Sequence, residues 1–308
     1  MRLFIDTSSN QKTVIRLDDR EITKDSSLWR SQVVLPMIEK LLKEQGKTMK
    51  DLTEIEVVTG PGSFTGLRVG AAIANALGFA LEIPVNGKRF CRTDLLMPGR
   101  FVPNEYITGQ AKFLDREFII SPAVLIPRIE TEEIIRMVSS SLSEPKSLIA
   151  DVGTGSGCLG ITLAEKYPQS TVYLSDISDK ALAVARKNIR TNNVSVLKSD
   201  LLTSYPLHLR FDVIVANLPY IPSQRIPHLP ASVKNYEPHL ALDGGEKGVK
   251  IINRLIAELP GHVKKSSLII LEIDDTHSPK DFLDLPGFTK KIRKDAFGRN
   301  RFLIFCPD

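Results

Sequence analysis

Cysteine, tryptophan and histidine are scarce in these 308 residues, and neither sign of charge dominates. The three cysteines, Cys91, Cys158 and Cys306, stand at no metal-ligand spacing, and an odd number frames no disulfide scaffold. That excludes a small disulfide-stapled fold and favours a reducing compartment; no metal site is expected. No run approaches the roughly 20 apolar residues of a membrane span. The stretch MRLFIDTSSN shows no basic region followed by an apolar segment of secretory length. The expectation is a cytoplasmic protein with no membrane partner. The formal charge of +5 is mild. It suits an anionic partner such as RNA or a ribosome-associated protein, and suits many metabolic enzymes as well.

Apolar residues at 42% and charged residues of both signs at 25% suffice for a sizeable core, and the length allows two domains. The first segment opens with the strands RLFIDTS and KTVIRL. A helix follows through QVVLPMIEKLLKEQG, with Ser31 placed to cap it and Gly46 to end it. IEVVTG reads as another strand, GPGSFTG as a turn, and LRVGAAIANALGFAL as a closely packed helix. Gly60, Gly62, Ser63, Thr65 and Gly66 could hold a phosphate on their N–H groups or could simply form a tight turn. No lysine stands at the Walker position, which favours the turn, and Asp6 reads as a strand-end acid.

The motifs IDTS, SQVVLPMIEKLL and VTGPGSFTGLRVG, followed by ANALGFALEIP, resemble the amino-terminal lobe of the TsaB (YeaZ) family over about residues 1–88. The resemblance implies a smaller α/β lobe, half of an actin-like ATPase fold, serving as a scaffold without a complete catalytic site. It also implies a TsaD-like partner in the pathway that places threonylcarbamoyl on tRNA adenosine.

Residues 89–120 read as a connector feeding two short strands in KFLDREFII. From 121 to 308 the pattern changes to strand–helix units. LIADVG, TVYLSD, SVLKSD, FDVIVAN, SLIILEI and RFLIFC are runs of strand length, which predicts a mostly parallel sheet with an antiparallel edge. Gly153, Thr154, Gly155 and Gly157 follow the first of these strands and lead into a helix. Such a loop could serve NAD, S-adenosyl-L-methionine, or a plain strand–helix joint. Asp151 precedes the glycines, where it would sit awkwardly beside a pyrophosphate but well near a cationic amino-acid ligand. Asp176 ends the next strand and could accept both ribose hydroxyls. Asp200 follows the third strand and could accept from an adenine amino group. The three acids together favour S-adenosylmethionine over NAD.

The strand FDVIVAN then ends in Asn217, Leu218, Pro219 and Tyr220. The Asn217 side-chain oxygen can take one hydrogen of a planar NH2 group, and the Leu218 carbonyl, restrained by Pro219, can take the other. Tyr220 can pack over the flat conjugated group. The residues themselves thus specify methylation of an amide or an exocyclic amine, and Asn-x-Pro is also a plain turn.

From about residue 104 onward, the motifs DVGTGSG, LSDIS, SDLL, ANLPYIP, YEPHLALDGGEKGVKIINRLI, ILEI and DAFGRNRFLIF resemble the PrmC/HemK family. These are protein-(glutamine-N5) methyltransferases of peptide chain release factors. The resemblance implies a class I S-adenosylmethionine-dependent, Rossmann-like domain. It also implies that Gly153 and its neighbours, Asp176 and Asp200 hold the cofactor, and that Asn217, Pro219 and Tyr220 receive the glutamine of a Gly-Gly-Gln motif. In that family the IPRIETE segment, with Arg128, Thr131 and Glu132, lies near substrate and cofactor. Arg128 is then either a peptide anchor or a surface charge pinned to Glu130, and Glu237 either steadies the mouth or forms a salt bridge elsewhere. Leu218 and Ile129 replace prolines usual in the family, and the TsaB-like lobe stands where the family has a helical domain. An adenine-N6 methyltransferase on DNA or RNA would use similar Asn-Pro-Tyr geometry. Its expected basic flank is represented only by the short KKIRK. A non-enzymatic partner in tRNA modification is the third reading.

Overall fold

The computed structural model describes residues 1–9, 12–25, 30–60, 63–88, 102–142 and 146–308. Cys91, Gly62 and residues 89–101 of the expected connector lie outside the described residues. The chain divides into two compact units, Met1–Thr108 and Gly109–Asp308.

In the first unit, alternation of buried and exposed residues in β1 (Arg2–Asp6), β2 (Lys12–Leu17) and β4 (Glu54–Val57) points Leu3, Ile5, Ile15, Leu17, Ile55 and Val57 to one face. That face buries against α1 (Arg30–Glu44) and α2 (Phe64–Leu81). A short helix, α3 (Asn104–Thr108), closes the unit's sequence. The sheet order is β3-β2-β1-β4, and its edge strand β3 (Arg20–Asp25) is almost wholly exposed, which is why its sequence carries no strand alternation. Ser31 lies inside α1 rather than before it. Within the GPGSFTG segment Ser63 starts a helix, its hydroxyl accepting from the Gly66 N–H at 3.4 Å. Asp6 Oδ1 accepts from the Ser8 N–H at 2.8 Å, a strand-end turn.

In the second unit a hairpin, β5 (Gln110–Phe113) and β6 (Arg116–Ile119), precedes α4 (Glu132–Ser141). Phe113 and Phe118 are buried in the core, so the hairpin belongs to this unit's packing. The strands β7 (Leu148–Val152), β8 (Thr171–Asp176), β9 (Val194–Lys198), β10 (Phe211–Ala216) and β11 (Val263–Glu272) run parallel. Two further strands, β12 (Phe288–Lys294) and β13 (Asn300–Pro307), add an antiparallel edge, giving the order β12-β13-β11-β10-β7-β8-β9.

The central strands are apolar on both faces because both are covered. Ile149, Val213 and Val215 pack with α4 and α5 (Cys158–Lys166). Ala150, Val152, Ile214 and Ala216 pack with α8 (Lys250–Glu258) on the other face. Two remaining helices, α6 (Asp179–Asn188) and the one-turn α7 (Ala231–Lys234), complete the unit. KKIRK is the edge strand β12, whose outward residues are cationic as befits a guarded edge. The strand order reverses between β7 and β10, and in such sheets ligands bind outside the carboxyl ends at that switch. Residues 153, 176, 200, 217 and 272 all fall at that edge.

Candidate functional site

The loop from Gly153 to Gly157 needs glycine for two different reasons. Gly153, Gly155 and Gly157 have φ of +74°, +56° and +86°, where L side chains are strained. A Cβ on Gly157 would also lie 2.5 Å from Ile161 Cδ1, whereas nothing stands within 4 Å of one on Gly155. The loop is held to β8, since the N–H groups of Gly153 and Thr154 donate to the Ser175 carbonyl at 2.9 and 2.8 Å. Gly155, Gly153, Asp176, Asp200, Asn217, Leu218 and Pro219 line one cavity of about 410 Å³, whose remaining wall is largely apolar.

Asp151 corrects the sequence reading. It is buried, does not line the cavity, and its Oδ2 accepts both the Thr154 hydroxyl at 2.6 Å and the Gly160 N–H at 2.9 Å. Asp151 and Thr154 therefore staple the loop to α5 from behind, and Gly157 serves packing. Burial pushes Asp151 up to about 6, against the opposing pull of Thr154 and Gly160. A raised carboxyl contributes stability that is full below its unfolded pKa and is lost as pH rises through the folded value. Between about pH 4 and 6 that loss is of the order of 2–3 kcal/mol. Asp151→Asn keeps an acceptor for both donors and carries no charge. Urea melts across pH 4 to 7 should show a flatter pH dependence for the variant; an unchanged slope would remove Asp151 as its source. Cys158, next to the loop, is pushed up to about 12 by burial and then by the Asp151 charge, so it is a neutral, unreactive thiol at pH 7.

Asp176 binds the loop through Oδ2, which accepts from the Gly155 N–H at 3.0 Å, and its Oδ1 accepts from Ser178 at 2.9 Å. Burial raises its pKa despite those donors. Asp176 lines the cavity, and a carboxylate has about four acceptor positions, more than these donors use. Asp200 also faces the cavity, paired at 2.8 Å with Arg254 of α8. Arg254 was not legible in the sequence, because only the fold brings α8 to the end of β9.

A second cavity of about 200 Å³ is lined by Asn217, Arg128, Tyr220, Leu125, Leu229 and Val233, among others. Asn217, Leu125 and Ala241 line both cavities. The Asn217 amide is fixed by a chain of hydrogen bonds: its Nδ2 donates to Thr131 Oγ1 at 3.0 Å, and that hydroxyl donates to Glu272 Oε2 at 2.6 Å. Tyr220 donates its phenol to Glu272 Oε1 at 2.9 Å. Asn217 Oδ1 and the Leu218 carbonyl have no donor among the described residues. Thr131 stands at the N-cap of α4, yet its hydroxyl makes no cap bond and is turned into this network instead. Glu272 is buried, and burial raises its pKa against the pull of the two hydroxyls. Tyr220 is held well above the usual phenol range, first by burial and then by the Glu272 charge.

Arg128 is neither free nor an isolated surface charge. Its guanidinium donates to both oxygens of buried Glu237 at 2.7 and 2.8 Å, fixing the wall of the second cavity. Glu132 lies away from both cavities, accepting from the Leu114 N–H at 2.8 Å. Leu218 is buried, and the space a Gly153 side chain would need is filled by its Cδ2, 2.7 Å from the missing Cβ. Packing, rather than a second proline ring, holds this segment. Gly248 backs it from behind. Its φ is +74°, and a Cβ there would lie 2.1 Å from the Tyr220 carbonyl. Gly248→Ala should lower thermal stability by about 1–3 kcal/mol of strain. It should lower turnover further by shifting Tyr220; normal turnover at reduced melting temperature would disprove the second effect.

Two family models match this chain: tRNA N6-adenosine threonylcarbamoyltransferase over residues 27–88 and methyltransferase small domain over residues 133–229. A release factor glutamine methyltransferase of Moorella thermoacetica is 40% identical over 212 residues, 66% of this chain and 74% of that protein. The chain belongs to the release factor glutamine methyltransferase family. A second member, from Koribacter versatilis, is 41% identical over 174 residues, 56% of this chain and 62% of its own length. Among solved structures, YeaZ from Pseudomonas aeruginosa is 31% identical over 27% of this chain and 41% of its own, with a TM-score of 0.25. The second unit is a class I methyltransferase fold, and the first segment carries the TsaD-like match. Among the described residues no helix is long and apolar enough to cross a membrane, and no group of His, Cys, Asp and Glu is arranged to hold a metal.

Proposed function

We propose that this enzyme transfers a methyl group from S-adenosylmethionine to the side-chain nitrogen of glutamine in the Gly-Gly-Gln loop of peptide chain release factors. The observation that carries the proposal is Asn217, which lines two cavities and whose amide is oriented by Thr131 and Glu272.

The larger cavity suits the cofactor in size and in chemistry. Asp176 has acceptor capacity for ribose hydroxyls, Asp200 for a donor on the base, and Gly155 leaves open space beside them. When bound, S-adenosylmethionine supplies a methyl group activated by a sulfonium centre. The smaller cavity has apolar walls for the methylenes of a glutamine, with Arg128, Asn217 and Tyr220 as its polar lining. Asn217, which lines both cavities, offers its Oδ1, and the adjoining Leu218, which lines the larger one, offers its carbonyl; these two accept the N–H hydrogens of the target amide. Orientation and polarisation of that nitrogen by fixed acceptors are the chain's contribution, and no strong base is required. The nitrogen gains the methyl as the sulfonium sulfur–carbon bond breaks, leaving S-adenosylhomocysteine, and sheds one proton to water.

A protein of translation as substrate goes with a cytoplasmic place of action. A TsaD-like partner docking through residues 1–88 accompanies the proposal, supported by the match over residues 27–88. It is tested by copurification with and without that segment. The enzymatic reading is tested by offering labelled S-adenosylmethionine with a release factor, with DNA and with RNA. Label in the release factor alone is expected. Label in adenine would replace the protein substrate with a nucleic acid.

A further inference from the structure

The sequence between Lys290 and Arg301 holds six cations and one acid, Asp295, and the function proposed above uses none of them. Three of the cations are internally engaged. Lys290 pairs with Asp284, Arg293 with Glu133, and Arg301 with Asp295. Lys294 and Arg299 are exposed and have no carboxylate partner among the described residues. They flank the tip of the β12–β13 hairpin, where Phe297 is 66% exposed.

An exposed phenylalanine on a floppy loop would mean little, but this turn is stiff. Asp295 is buried, and its Oδ1 accepts from the N–H groups of Phe297 and Arg299 at 2.9 and 3.0 Å. Its Oδ2 accepts from Arg301 Nε at 3.2 Å, while its own N–H and carbonyl pair with Arg299 and Gly298. The chain thus spends five hydrogen bonds on holding an aromatic ring in water between two unpaired cations. Pre-ordered aromatic and cationic side chains of this kind are what protein interfaces are enriched in, because little ordering cost remains at binding.

The tip also stands at the reacting edge of the sheet. Phe302 pairs with Glu272, the Arg301 guanidinium donates to the Ile273 carbonyl, and Asn300 donates to the His277 carbonyl. Glu272 itself holds Tyr220 and, through Thr131, Asn217. The start of β13 and the residues that hold Asn217 and Tyr220 thus lie at the same end of the sheet.

We propose that the hairpin tip, with Phe297 between Lys294 and Arg299, docks the protein substrate by seating the ring in an apolar recess beside an acidic patch. The proposal rests on the release-factor reading and adds where that protein is held. A single-stranded nucleic acid is the less suitable occupant, since such ligands stack successive bases on several aromatics and the tip offers one.

The test uses the full chain and two substrates: an intact release factor and a short peptide carrying Gly-Gly-Gln. For Phe297→Ala and for the double variant Lys294→Glu, Arg299→Glu, kcat/KM on the intact protein should fall by roughly 10-fold or more, mostly in KM, with the peptide rate unchanged. Added salt should weaken the wild type on the intact protein and leave the charge-reversed variant nearly flat. Three results would overturn the docking role. Variants that use both substrates like wild type leave the function standing and the tip idle. Equal loss on both substrates makes the hairpin a support for the site. RNA that competes with the wild type but not with the variants assigns the tip to nucleic acid. If the wild type labels neither substrate, the function reading falls and takes the docking role with it.

Discussion

Asn217→Ala should lower the rate of methyl transfer by about 100- to 1,000-fold, the usual cost of removing one preorganised polar group at a reacting centre. The more discriminating variant is Asn217→Asp. It keeps the shape and an acceptor for the substrate, but it replaces the Nδ2 donor to Thr131 with an oxygen. The Thr131 proton is already committed to Glu272 at 2.6 Å, so two oxygens would face each other at 3.0 Å with no hydrogen between them. Asp should therefore be nearly as inactive as Ala. Single-turnover rates at saturating cofactor, with melting temperatures alongside, make the comparison. An Asp variant within a few-fold of wild type would mean that the orienting chain is idle.

Glu272→Ala carries the second large effect, on both stability and rate. It strands the hydroxyls of Thr131 and Tyr220 in a buried site, at about 1–3 kcal/mol for each unsatisfied group. The freed Asn217 and Tyr220 should then cost roughly 10- to 100-fold in turnover, since small misplacements of reacting partners are expensive. Glu272→Gln separates the two effects. It retains bulk and polarity, so it should melt nearer to the wild type. Its activity should lose the acid limb of the pH profile. That limb has a definite sign: both neighbours donate to Glu272, so the carboxylate is the working form. Burial raises its pKa, so activity should fall with acid at a pH above the ordinary carboxylate range. A wild-type profile that stays flat down to that ordinary range, or a Gln variant that keeps the limb, would show that Glu272 does not titrate in the working cycle.

Most of the architecture was legible because the second unit alternates apolar strands with helices around a covered sheet. The strands missed are informative. β3 and β12 are edges with little buried surface, and their sequences, REITKD and FTKKIRK, carry polar and charged residues where alternation would otherwise show. The carboxyl-end rule located Asp176, Asp200 and Asn217 at the larger cavity, but it could not show which way a strand-end side chain turns. Asp151 obeys the rule in position and breaks it in direction, because the Gly160 N–H and the Thr154 hydroxyl draw it behind the loop. Glu272 ends an apolar strand in the same manner as Asp176, and the same rule would have found it. Thr131 and Arg254 were beyond that rule: each meets its partner only after distant segments pack, Thr131 with Glu272 and Arg254 with Asp200.

In the proposed reaction Asn217 presents a side-chain amide nitrogen to the methyl donor. Tandem mass spectrometry of a release factor methylated with labelled S-adenosylmethionine tests it most directly, comparing wild type with Asn217→Asp. A single added methyl is expected on the side-chain nitrogen of the Gly-Gly-Gln glutamine, absent with the variant. A methyl on another residue, or on the same glutamine at undiminished yield from the variant, would contradict it.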